Sequence, residues 1–288
     1  MWLLGGVMID ISNNSDKSPQ QKDPETKAIL PARFTVETLL SLHYWTPNLL
    51  SFRTSRDPKF DFTPGHYARI GFKNASDNVV WRPFSVVSSK TDAYLEFIAT
   101  LVPNGEFSEL LLNSLTGDKI QVDKNSYGFM TIDGFAPGND LWLMATGTGL
   151  GPFLSILRDS ATWNAYENIV LVHSVRYAAE LAYRDEITAF IQEHTLDKLP
   201  ARLQYIPVVT RELWPDSLSA RIPQLIEDGR LELATGLKFD IERSRIMVCG
   251  NPEMISELRV KFTEKNYHTN RRATPGQLAF ENYWLNKP

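Results

Sequence analysis

Thr146-Gly147-Thr148-Gly149-Leu150-Gly151-Pro152 directly follows an apolar run and alternates glycine with other residues. Glycines let backbone N–H groups come close to an anion, and Pro152 suits a first helical turn, where its missing N–H leaves nothing unpaired. A helix starting there aims its free N–H groups at that anion, so the segment reads as a pyrophosphate-binding loop. It departs from G-x-G-x-x-G, and no Lys-Ser/Thr follows its last glycine, which excludes a P-loop NTPase. Three arginines bear on the choice of nucleotide. An apolar run ends Ser174-Val175-Arg176, the next ends Thr210-Arg211, and Arg221 follows. NAD-specific folds commonly offer an acidic side chain to the ribose after the second strand, whereas guanidinium groups suit a 2′-phosphate. Each charge-assisted hydrogen bond contributes about 1.5–3 kcal/mol, so the pattern favours NADPH over NADH. The third group is Arg82-Pro83-Phe84-Ser85. Proline fixes its own φ and holds Arg82 extended, presenting a guanidinium, a ring and a hydroxyl in fixed order. Singly, the loop reads as a nucleotide site more readily than as a tight turn, whereas any one arginine reads more readily as a surface ion pair and the third group as a plain strand. Their combination carries the reading.

The elements that must position these residues change character near residue 135. From Arg33 to Ile132 short strands predominate, as in Tyr94-Leu95-Glu96-Phe97-Ile98 and Lys119-Ile120-Gln121-Val122, with one short helix near Phe107–Asn113. Turn signals such as Thr63-Pro64-Gly65 separate them, which predicts an antiparallel β-barrel over residues 32–135. Beyond Asp133-Gly134 the runs Leu141–Ala145, Ile169–His173, Ile206–Val209 and Ile246–Cys249 are apolar throughout, each followed by a helical pattern. Strands apolar on both faces imply a parallel sheet covered by helices on both sides, so residues 136–288 read as a doubly wound α/β domain. Residues 1–31 hold too little to bury between Ser12 and Lys27 and are expected to be a disordered tail. The apolar Met1–Ile9 lacks a preceding basic residue and a small-residue cleavage site, arguing against a signal peptide. One cysteine, Cys249, excludes an intramolecular disulfide and a four-cysteine metal site, and the five histidines are widely spaced. A net charge of −4 gives no footprint for nucleic acid, and no apolar run spans a membrane. A soluble, cytoplasmic protein without its own metal centre is expected.

Arg-x-(Tyr/Phe)-Ser, then Gly-Thr-Gly-x-Gly-Pro, then Cys249-Gly250-Asn251-Pro252-Glu253-Met254, with a Phe280-Glu281-Asn282-Tyr283-Trp284 ending, occur in that order. The chain thereby resembles the ferredoxin–NADP reductase superfamily, and most closely its bacterial ferredoxin/flavodoxin reductases, from about Arg33 to Trp284. The resemblance implies FAD on the barrel, held by Arg82, Pro83, Phe84 and Ser85. It adds Ile98, Ala99 and Thr100, the Gly105, Phe107 and Ser108 turn, Thr148, and the terminal Tyr283 and Trp284. The family usually carries tyrosine where Phe84 stands, so stacking is kept and a phenol hydrogen bond is lost. For NADPH it implies Thr148, Gly149, Arg176, Thr210, Arg211, Arg221, Gly250, Asn251 and Pro252. Ser85, Cys249 and Glu281 would stand at the hydride-transfer centre, Cys249 as packing rather than as a nucleophile. Leu285–Pro288 extends past the terminus expected for the family.

The implied function is exchange of electrons between NADPH and ferredoxin or flavodoxin, hydride in and single electrons out. With one cysteine there is no second redox centre of cysteine ligation, so the acceptor must be a separate protein. An acidic carrier would find Arg259, Lys261, Lys265, Arg271 and Arg272 against Glu264 alone. Two alternatives share the motifs: a sibling NAD(P)H flavin reductase or diaphorase with another acceptor, and a non-catalytic nucleotide sensor.

Overall fold

The computed structural model describes residues 33–196, 201–271 and 273–282. The expected tail 1–31, Arg272, Tyr283, Trp284 and 285–288 lie outside them. Six antiparallel strands come first: β1 (Phe34–Thr46), β2 (Leu49–Ser55), β3 (Tyr67–Lys73), β4 (Val79–Ser85), β5 (Tyr94–Thr100) and β6 (Lys119–Tyr127). Their order is β4-β3-β6-β1-β2-β5. The edges meet where Val87 N–H, just past β4, donates to the Glu96 carbonyl of β5 at 2.8 Å, which curls the sheet into a barrel. Leu39, Phe52, Ile70, Phe97, Ile120 and Val122 fill its interior. Helix α1 (Glu106–Leu112) closes one end with Phe107 and Leu111, Phe107 packing on Phe72 with ring centres 5.3 Å apart.

The second half alternates: β7 (Asp140–Thr146), α2 (Gly151–Leu157), α3 (Ser160–Ala165), β8 (Asn168–Val175), α4 (Arg184–Leu196), β9 (Arg202–Val209), α5 (Ile222–Glu227), α6 (Arg230–Thr235), β10 (Ser244–Gly250), α7 (Pro252–Glu264) and β11 (Leu278–Asn282). The strands are parallel in the order β11-β10-β7-β8-β9. The period-two rule divides each strand between two cores. Leu141, Leu143 and Ala145 of β7 face α2, α3 and the barrel residues Leu49, Val87 and Ile98. Trp142 and Met144 face α5 and α7 through Ile222, Leu225, Ile255 and Leu258. This is the barrel followed by a doubly wound α/β domain that the hydrophobic runs imply. Strands β2 and β11 went unread: β2 is buried along most of its length and scarcely alternates, and β11 is only five residues long.

Candidate active site

The sheet order reverses between β7 and β10, so their C-terminal ends open a crevice where α/β sheets bind ligands. Both ends carry glycine for a physical reason. A Cβ on Gly149 would lie 2.3 Å from the Cys249 carbonyl oxygen, and one on Gly250 2.1 Å from Thr146 Oγ1. The two loops therefore pack backbone to backbone, clasped by Asn251 N–H donating to Thr146 Oγ1 at 2.7 Å. Gly147 is different. It has φ of 54°, and no atom lies within 4 Å of where its Cβ would stand, so this turn presents open backbone. Its carbonyl accepts the Nε2–H of His173 at 3.1 Å. His173 is buried, and desolvation drives it down to about 4, so it supports the loop as a neutral donor.

A cleft of about 590 Å³ lies over these ends. It gathers Thr148, Arg176, Thr210, Arg211, Arg221, Gly250 and Asn251 from five separate stretches of sequence, and Thr100 from the barrel. Asn251 caps α7 by accepting from Glu253 and Met254 N–H, at 2.8 and 3.2 Å, with Pro252 in the first turn. Among the described residues neither the Arg176 nor the Arg211 guanidinium forms a salt bridge, whereas Arg221 pairs with Glu257 at 3.1 Å. Gly149 is buried beneath the loop rather than in the cleft wall. Sequence reasoning missed Thr46, Asn48 and Glu180, which also line the cleft. Thr46 and Asn48 flank the β1–β2 turn, whose polar tip carries no motif. Glu180 carries no motif either, because its partners are the backbone N–H groups of Arg176 and Tyr177.

The barrel residues form the adjoining surface. Arg82 and Pro83 are exposed, Phe84 is half-buried against Phe107 at 5.1 Å, and Ser85 is buried. A Cβ on Gly151 would stand 3.4 Å from Ser85 Cβ and 3.3 Å from Ile98, so the glycine loop sits directly against this strand end. Ala99 is buried, and the Phe107 side chain belongs to the barrel core. Ser108 Oγ accepts from Val102 N–H at 2.9 Å and Gly105 precedes α1, so this turn offers backbone rather than these side chains. Cys249 is buried and pairs in register with Ala145 on one side and Glu281 on the other. Glu281 Oε2 is buried with no hydrogen-bond partner among the described residues. That desolvation pushes its carboxyl up to about 7. Tyr283 and Trp284 lie outside the described residues.

An FAD-binding domain family matches residues 34–134, and an oxidoreductase NAD-binding domain family matches residues 143–259. The ferredoxin–NADP reductase of Pseudomonas aeruginosa is 34% identical over 255 residues, covering 87% of this chain and 98% of that protein. The flavodoxin/ferredoxin–NADP reductase of Escherichia coli is 36% identical over 241 residues, covering 83% and 94%. The chain belongs to the ferredoxin–NADP reductase family. A crystal structure of the Neisseria gonorrhoeae ferredoxin–NADP reductase with bound FAD and NADP superposes with a TM-score of 0.82 at 35% identity, covering 88% of this chain and all of that one. Within a ferredoxin–NADP reductase fold, the cleft at the strand ends and the β4 surface adjoin through Gly151.

Proposed function

We propose that this protein carries FAD on its barrel and passes electrons from NADPH to ferredoxin or flavodoxin. The convergence of Arg176, Arg211 and Arg221 beside the open Gly147 turn, in one cleft with Thr148 and Thr100, is the observation that carries the reading. The flavin fits the residues present: Arg82 offers an exposed guanidinium for its pyrophosphate, Phe84 a ring, and Ser85 a hydroxyl at the contact with the glycine loop. Glu281 Oε2, buried without a hydrogen-bond partner among the described residues, supports a polar group arriving at that end of the sheet. When bound, the flavin supplies the conversion between a two-electron donor and a one-electron acceptor. The chain's own part is placement. Thr148 shares the cleft with Thr100 of the barrel, and the arginines hold the 2′-phosphate. A Glu281 carboxyl titrating near 7 can hold a proton beside Cys249 at neutral pH.

The visible spectrum of the purified protein, followed by anaerobic addition of NADPH or NADH, tests this. A flavin spectrum bleached much faster by NADPH supports it. Equal bleaching by NADH moves the protein among the sibling flavin reductases, and a protein unable to take up FAD overturns it.

For the acceptor we favour the basic stretch Arg259, Lys261, Lys265, Arg271 and Arg272 as the docking side. Lys261 pairs with Glu227 at 2.8 Å and Arg259 lies 4.2 Å over the Phe280 ring, so these two have intramolecular partners. Turnover with ferredoxin should fall steeply with salt while small-dye reduction does not. Equal salt sensitivity for both acceptors removes the docking assignment.

A further inference from the structure

Glu180 sits where a NAD-specific fold presents an acid to the ribose, just beyond the second strand of the parallel sheet, and it lines the cleft beside Arg176. A carboxylate there repels a 2′-phosphate. Its hydrogen bonds give it other work. Glu180 Oε2 accepts the N–H groups of both Arg176 and Tyr177, at 2.9 and 3.0 Å. A second carboxylate acts across the neighbouring loop: Glu212 Oε1, next to Arg211, accepts Ala178 N–H at 2.5 Å. Between them the main chains are joined directly, Arg211 N–H to the Arg176 carbonyl at 2.9 Å and Thr210 N–H to the Val175 carbonyl at 3.1 Å. Thr210 Oγ1 donates to that same Val175 carbonyl at 3.0 Å.

We infer that Glu180 and Glu212 are positioning residues for NADPH selectivity, fastening the two loops so that Arg176 and Arg211 are held as one preformed fork for the 2′-phosphate. The inference rests on the NADPH reading above. Both loops are exposed, and an arginine on an unfastened loop must be ordered at the moment of binding, which weakens the complex. Neither carboxylate need touch the nucleotide. The fastening outweighs the repulsion because a charge-assisted bond to two N–H groups is direct, whereas repulsion between exposed charges is screened by water.

Calorimetric titration with adenosine 2′,5′-bisphosphate and adenosine 5′-monophosphate reads this without electron transfer. Wild type should prefer the bisphosphate. Glu180→Ala should weaken it about tenfold and leave the monophosphate unchanged, while Glu180→Gln, which keeps a carbonyl acceptor, should stay within about threefold of wild type. Tighter bisphosphate binding by both variants would mean the carboxylate only repels, and overturns the inference. Weaker monophosphate binding by both would make Glu180 a ribose ligand, with the same consequence. A wild type that binds both ligands equally overturns the NADPH reading and the inference with it. Glu212→Ala and Glu212→Gln give the same comparison if Glu180→Ala fails to fold.

Discussion

The Arg158 guanidinium lies 3.0 Å from the Glu96 carboxylate, and the pair joins the α/β domain to the barrel. Both side chains are nearly withdrawn from water, at 9% and 4% exposure. Arg158 follows α2, donates also to the Val87 carbonyl at 2.8 Å, and pairs with Glu186 on α4. The other Glu96 oxygen accepts from the Tyr183 hydroxyl at 3.2 Å and faces Arg53 at 3.3 Å. A buried charge persists when its polar atoms are met in this way.

Removing one partner strands the other. Arg158→Met should destabilise the protein by about 3–5 kcal/mol, because Glu96 and Glu186 keep their charges without the guanidinium between them. Urea unfolding measures it. A loss below about 1 kcal/mol would place the pair with ordinary surface salt bridges.

Gly149 and Gly147 should respond oppositely to the same small change. A methyl on Gly149 meets the Cys249 carbonyl at 2.3 Å, and backbone cannot swing aside, so Gly149→Ala should cost about 1–3 kcal/mol or more. Gly147→Ala meets nothing within 4 Å and bears only the strain of a positive φ, about 1–2 kcal/mol. Its methyl projects into open space at the turn, so nucleotide binding should suffer more than folding. The pair of unfolding midpoints, with NADPH titrations, decides this; a Gly147→Ala protein that binds normally would remove its turn from the nucleotide site.

What could be read in the sequence followed from local rules. Strands β7, β8 and β10 are apolar on both faces because both faces are covered, and such runs announce a parallel sheet. Arg176 and Arg211 line one cleft because parallel strands end on one side, so residues far apart in sequence share an edge, and Arg221 joins them from the N-terminus of α5. The cleft's other wall was not legible. Thr46 and Asn48 reach it only because the β1–β2 turn projects from the barrel toward the α/β domain, and no periodicity encodes the distance between two domains. Glu180 and Glu212 were illegible for another reason: their partners are backbone N–H groups, which every residue has.

The arginines should differ in weight. Arg176→Ala and Arg211→Ala should each weaken NADPH by about ten- to hundredfold and spare NADH, since each removes a charge-assisted contact to the 2′-phosphate alone. Arg221 is already engaged with Glu257 at 3.1 Å, so Arg221→Ala should cost less. Dissociation constants for both nucleotides test the order. A uniform loss for NADPH and NADH would show that these side chains hold the shared part of the nucleotide.

Glu281 gives a pH signature. An unfolded glutamate titrates near 4.5, and burial raises this carboxyl to about 7. Below pH 4.5 both states hold the proton and the group contributes no pH dependence. Between 4.5 and 7 only the folded state keeps it, so stability falls as pH rises, by about 3 kcal/mol in all, and changes no further above 7. Glu281→Gln cannot lose a proton and should not show that fall. Measured by urea unfolding on flavin-free protein, the stability of the variant relative to wild type should therefore increase by about 3 kcal/mol between pH 4 and pH 8. Parallel profiles would mean that the carboxyl ionises freely, and would withdraw Glu281 as a proton-holding group at the centre.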